Sequence, residues 1–174
     1  QRLFVLDDAT RLRLNTASAV NVRFSAERRL IELLHGEIFI DTGSDEHAPG
    51  GKRAFWVQTP TVWLQAIGTA FAVRDDNGQT HLRVEQGAVA IHHDGQVIRV
   101  KAGEQDLIGA SGSQKIQAPA LNASAWTQRQ LVARQMRLGD LTAELGRYRR
   151  GWLSCDASVA DLKISGVFQL DDID

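Results

Sequence analysis

The chain has 174 residues, 43% of them hydrophobic and 24% charged, with a formal net charge of −1 at pH 7. This length and apolar share suffice for one large domain or for a medium and a small one, and the balanced, interspersed charges exclude the electrostatic signature of a nucleic-acid or anionic-membrane binder. A single cysteine, Cys155, excludes an internal disulfide; no run of eighteen apolar residues exists and Gln1 opens no signal-peptide pattern, so an anchor and an address are expected outside this sequence.

Short apolar runs at residues 3–6, 12–14, 20–24, 30–34 and 38–40 are broken by Asp7-Asp8, residues 15–18, residues 25–27 and Gly36. Val20, Val22 and Phe24 stand two apart, which puts them on one face of a strand with Asn21 and Arg23 on the other. Residues 41–53 are dense in Gly, Ser, Asp and Pro, and are expected as a solvated loop, with a binding loop as the sharper alternative.

The most regular stretch is residues 55–104. Alternating apolar and polar runs end there in Gly, Asn-Gly or Asp-Gly, and Asp76-Asn77-Gly78 and Asp94-Gly95 fit type I′ hairpin turns. Those turns fix a register that keeps Leu82 and Val84 inward. Gly68 and Thr69 are expected where a strand turns and the backbone needs a residue without a β-carbon. Turn signals about every eight to twelve residues predict a mainly β fold over residues 1–110, a twisted β-roll or solenoid-like body of short stacked strands with no helix longer than a turn.

From residue 109 to 125 the composition shifts to Gly, Ser, Ala and Gln, which suits a linker, placed at residues 111–125. Residues 126–137 read as a helical turn or strand. Residues 138–148 read as a helix, with Leu138, Leu141, Leu145 and Tyr148 on one face and Gly151 at a left-handed cap position. Residues 152–155 and 162–168 then read as strands around a capped turn at residues 158–161. The order is βαβ-like, a small α+β domain over residues 126–174.

No catalytic constellation interrupts this organisation. None of the five histidines has zinc-ligand spacing, and the adjacent His92 and His93 leave opposite faces of a strand. Gly109-Ala110-Ser111-Gly112-Ser113 departs from a nucleophile elbow at Ser113 and lies in the linker. Asp75-Asp76 and Asp171-Asp172 are sequence neighbours, not carboxylates held across a cleft. Leu131, Leu138, Leu145 and Trp152 repeat every seven residues, but Gly139, Gly146 and Gly151 make them core contacts rather than a zipper seam. The expectation is a non-enzyme with no cofactor and no metal. Trp56 and Trp63 are the candidates for an alternative, a carbohydrate- or cell-wall-binding β module, whereas Trp126 and Trp152 sit in a domain small enough for one of them to reach a partner.

Leu14-Asn15-Thr16, Gly36-Glu37, residues 55–59, Ile67-Gly68-Thr69 with Phe71 and Val73, residues 84–89 and Ala102-Gly103-Glu104 together resemble the periplasmic region of FecR-type sensors, the transmembrane anti-sigma regulators of iron-siderophore uptake. The likeness spans most of residues 5–108. Residues 138–148 with Ser165-Gly166-Val167-Phe168 are similar to the small domain at the N-terminus of secretins and TonB-dependent receptors. Members of that family continue past the position of Phe168 with a second helix–strand half, so the small domain is expected to be incomplete at Asp174.

The resemblance implies the periplasmic part of a single-pass inner-membrane anti-sigma factor regulator. It would bind the N-terminal signalling domain of a TonB-dependent outer-membrane siderophore receptor, and reach its sigma factor through a cytoplasmic segment that, like the membrane helix, is expected outside this sequence. The partner surface is placed on the small domain, where an open strand edge is a template for an incoming strand. The expected partner-binding residues are Leu145, Arg147, Tyr148, Arg149, Arg150, Trp152, Leu153, Cys155, Lys163, Ile164, Val167 and Phe168, which combine basic steering with aromatic anchors.

Overall fold

The structure, a computed structural model, describes residues 1–46, 48, 51–76, 78–117 and 120–171. The chain separates into two compact units, Gln1–Gln117 and Ala118–Asp174.

The first unit is one ten-stranded sheet. Its strands are β1 (Arg2–Val5), β2 (Arg11–Leu14), β3 (Ala19–Phe24), β4 (Arg28–Asp41), β5 (Ala54–Gln58), β6 (Trp63–Asp76), β7 (Gln79–His93), β8 (Gln96–Lys101), β9 (Gln105–Gly109) and β10 (Gly112–Lys115). Three of them are long and change partners halfway. The first half of β4 lies between β3 and the parallel β5, and the second half between β2 and β6. β6 leaves β5 for β4 at the same level, and β7 leaves β9 for β8. The changes fall at Gly36, Gly68 and Gly87, all with positive φ. In Gly87 a β-carbon would stand 2.3 Å from the Gly68 carbonyl oxygen, so two backbones cross where only glycine fits.

Those bends fold the sheet over its own core. Ile31, Leu33, Phe55, Val57, Leu64, Val89 and Ile91 face Leu12, Ile38, Ile40, Phe71, Val73, Leu82, Val84 and Ile108 in one buried cluster. The body is therefore a twisted roll, and the described residues of this unit contain no helix. Runs expected as separate short strands on either side of Gly36 and Gly68 are continuous, because a left-handed glycine inside a paired strand bends it without ending the ladder. Asp94 (φ 47) and Gly95 (φ 76) form the expected type I′ turn. Gly78 is left-handed as well, while Asn77 of the other turn lies outside the described residues.

Residues 41–53 are tied down rather than only solvated, although His47, Pro49 and Gly50 lie outside the described residues. Arg29, 1% exposed, donates to Asp8 Oδ2 at 2.7 Å and to the Arg53 carbonyl, and lies 3.6 Å from Asp45. Arg53 grips Asp45 from the other side at 2.6 Å. Phe55 lies beneath Arg29 and Phe24 beneath Arg53, at 5.0 and 5.7 Å.

The second unit holds a 3₁₀ turn (Ala125–Gln128), β11 (Gln130–Arg137), α1 (Leu138–Gly146) and β12 (Lys163–Gln169). The strand–helix–strand order is present, and the two strands pair antiparallel, with Leu131 opposite Phe168, Ala133 opposite Gly166 and Met136 opposite Ile164. Leu131, Ala133, Met136 and Leu141 form its core, covered by Leu138, Leu145, Tyr148, Ile164, Phe168 and Leu170.

One expectation is corrected here. Residues 152–155, expected as a strand, have no regular structure. The far edge of β11 is already taken: Leu121 bridges Ala133, Asn122 N–H donates to the Val132 carbonyl, and Arg134 N–H donates to that of Ala120. The expected linker at 111–125 supplies that pairing at its end, and at its start it supplies β10, which pairs with β9. Ala118 and Pro119 within it lie outside the described residues.

Candidate docking surface

β12 alternates. Ile164, Gly166 and Phe168 face the small core, while Lys163, Ser165, Val167 and Gln169 are exposed. Among the described residues β12 pairs with β11 alone, so its other edge offers unpaired N–H and C=O groups. Val167 is 59% exposed on the outward face, and Leu162, just before the strand, is 56% exposed.

The second half of the connection from α1 to β12 is anchored, its end against the start of α1. The amides of Leu138 and Gly139 donate to the Leu162 and Ala160 carbonyls at 2.8 and 3.0 Å. Arg137 pairs with Asp161 at 2.5 Å, a bond that raises the guanidinium pKa further. The Asp156 carboxylate accepts from the Ser158 hydroxyl and amide at 2.7 and 2.8 Å, which holds its pKa below the usual range and closes a tight turn. Ahead of these anchors in the chain, Trp152 stands 95% exposed.

The twelve expected partner residues divide into four groups. Leu145, Tyr148, Ile164 and Phe168 pack on the small core. Arg147 bonds Glu144 at 2.5 Å and lies 5.8 Å over the Tyr148 ring, so it is a structural cation. Arg149, Leu153 and Cys155 are half-buried, and the Cys155 thiol is free. Arg150, Trp152, Lys163 and Val167 are exposed. Leu162 and Val159 (37% exposed) extend the exposed apolar set and were not expected; their spacing around the Ser158 turn resembles an ordinary capped turn, which hides their exposure. Asp172, the second member of the acidic pair, lies outside the described residues.

On the first unit, Trp56 and Trp63 meet edge-on at 6.1 Å with their planes 77° apart, His92 leans on Trp56 at 4.9 Å, and Arg28 covers Trp63 at 5.8 Å. Rings set at that angle satisfy one another and present no flat platform on which a sugar face can stack. A cavity of about 480 Å³ beside the Arg29 network is lined by Asp7, Asp8, Ser44, Asp45, Glu46 and Arg53, and its two buried carboxylates are already engaged by arginines. Among the described residues no group of three or more His, Cys, Asp or Glu is placed to hold a metal ion. Nor is any helix among them long and apolar enough to cross a membrane.

Residues 1–90 match the model of a protein family described as FecR protein. No curated protein matches the chain. Two crystal structures of a protein from Parabacteroides distasonis ATCC 8503, designated an anti-sigma factor, share its fold. In one, the match has a TM-score of 0.76 and 23% identity, and covers 97% of this chain and 80% of that one. In the other, the TM-score is 0.76 at 22% identity, with 99% and 81% covered.

Proposed function

The chain belongs to the FecR protein family, and from that premise we propose that it is the periplasmic sensory part of an inner-membrane anti-sigma regulator. Its first unit is the FecR-type body, and its second unit is the docking module for the N-terminal signalling domain of a TonB-dependent outer-membrane siderophore receptor. Docking there passes a signal through the membrane to a cytoplasmic sigma factor. The role is one of binding and transmission, without catalysis.

The observation that carries this reading beyond the family is the edge of β12 left unpaired among the described residues, with Val167 exposed on the strand and Leu162 just before it, and Trp152 exposed on the connection from α1. An exposed strand edge supplies main-chain hydrogen bonds for affinity, and the exposed side chains beside it supply selectivity. Tryptophan is a residue type on which interface binding energy concentrates, and Leu162 and Val167 add exposed apolar area.

Calorimetric titration of a receptor signalling domain against the whole chain and against residues 1–117 tests it. Binding is expected for the whole chain and lost in the truncation, and Trp152→Ser in the whole chain is expected to weaken it by about tenfold, the order of an interface hot spot. Undiminished binding to residues 1–117 would move the partner surface to the first unit and overturn the reading.

A further inference from the structure

We propose that the first unit carries a docking face of its own, which takes an acidic protein segment with an apolar middle. The face is the outer side of the sheet half in which β3, β4, β5, β6, β7 and β8 pair in that order. Along these strands Val57, Leu64, Val89 and Val100 pack on the core, so the residues alternating with them stand on the outer side. A sheet with one side on its core ordinarily carries polar residues on the other. This one carries Trp56, Trp63, Ile67, Ala88, Ala90 and Val97. Register makes them neighbours: Trp63, His92 and Val97 stand in one row across the strands, Trp56, Gln65 and Ala90 in the next, and Ile67 with Ala88 in a third. Val97 is 63% and Ile67 47% exposed, and both tryptophans are half-buried.

Charge names the occupant. Arg99 and Lys101 close the last two rows on β8, opposite Ala90 and Ala88. On the β4 side, Arg28 stands 5.8 Å over the Trp63 ring. Among the described residues none of these three cations forms an ion pair: Glu27 and Glu104, beside them in the adjoining turns, are bonded to Ser25 and Lys115, and Glu32, on the face itself, is held by Arg23. Cations therefore border the apolar floor on both sides, four strand spacings or about 19 Å apart, a distance that about six residues of extended chain span. In this half β5, β6 and β7 place no lysine, arginine or carboxylate on the outer side between them. A segment with carboxylates at its two ends and apolar side chains in the middle matches that pattern. A polyanion charged along its whole length does not, because its middle would lie on tryptophans with no cation to meet it. Tryptophan is a residue type on which interface energy concentrates, and Arg28, stacked on Trp63, is positioned before anything binds.

NMR titration of the whole chain with a blocked peptide, Asp-Glu-Leu-Val-Ile-Leu-Glu-Asp, and with the same apolar middle between lysines tests the proposal. The acidic peptide is expected to shift the Trp56 and Trp63 indole signals and the amides of β5–β8, and to bind at least about tenfold more tightly than its lysine counterpart. Arg28→Glu with Arg99→Glu is expected to reverse that preference, which also shows that the variant is folded, and the milder Arg28→Gln with Arg99→Gln to abolish it. Heparin and phosphatidylglycerol vesicles, standing for a sulfated polymer and an anionic membrane, are expected to leave both indole signals in place. No binding of the acidic peptide, equal binding of the two peptides, shifts confined to other strands, variants with the preference of the parent, or displacement of the indole signals by heparin or vesicles overturns the proposal. The probe is no receptor domain and the signals lie in the first unit, so the outcome is separate from that of the docking titration.

Discussion

Arg29 is the most demanding side chain of the first unit, because a fully buried guanidinium must find acceptors for all its donors or lose several kcal/mol of solvation. It stands between Arg28 and Leu30 in a run that reads as an ordinary surface cation, but its period-two phase with Ile31 and Leu33 places it inward. Asp8, the Arg53 carbonyl and Asp45 satisfy it there. Arg29→Ala strands Asp8 in the core and is expected to cost roughly 3–5 kcal/mol in urea unfolding, the range for breaking a buried pair. Asp45 is held from its ordinary 3.8 down to about 2, first by the hydrogen bond from the Arg53 side chain. A carboxylate whose folded pKa is depressed contributes stability that is present above its unfolded value and lost as pH falls through the folded one. Stability is therefore expected to decline from about pH 4 toward pH 2, and Asp45→Asn to flatten that part of the profile. The glycines separate in the same way. Gly68 needs only its left-handed φ of +65, since a β-carbon there meets nothing, whereas at Gly87 it meets backbone at 2.3 Å. Gly68→Ala is expected to cost about 1 kcal/mol and Gly87→Ala at least twice that, read as shifts in melting temperature.

At the scale of elements, local chemistry was legible and long-range pairing was not. The alternation of Val20, Val22 and Phe24, the Asp94-Gly95 turn and the apolar face of α1 follow from spacing alone. Gly36 and Gly68 read as ends of strands, since nothing local tells a glycine that stops a strand from one that bends it; the difference lies in partners that pair across the bend. The parallel match of β4 with β5 has no local signal at all. In the second unit residues 152–155 form no strand, and the far edge of β11 is held by residues 120–122, a pairing with no local signal. Of the docking surface, the exposure of Trp152 and the edge of β12 were anticipated, while Tyr148 and Phe168 turned inward, as aromatics do where a small core needs volume. Pairing on both sides also ranks the strands by protection. Hydrogen exchange is expected to be slowest in the halves of β6 and β7 on either side of Gly68 and Gly87, which are paired on both edges, and fast in β1, whose four residues are all exposed. Fast exchange in β6 at the same level as β1 would contradict the pairing order.

At the scale of the molecule, the two units differ in what holds them together. The first has a continuous apolar cluster drawn from eight of its strands, and a buried ion network tying its long loop down. The second has Leu131, Ala133, Met136 and Leu141, with half-covered neighbours and one open edge. Stability grows with the fraction of surface that folding removes from water, and a unit of this size removes little. The second unit is therefore expected to melt first and to carry low protection, which suits a module proposed to dock a partner. Residues 1–117 expressed alone are expected to keep the upper melting transition of the whole chain to within about 3 °C, the shift that well under 1 kcal/mol produces in a domain of this length. Calorimetry of both chains decides it: loss of the upper transition in the shorter one would show that the first unit depends on the second for its fold.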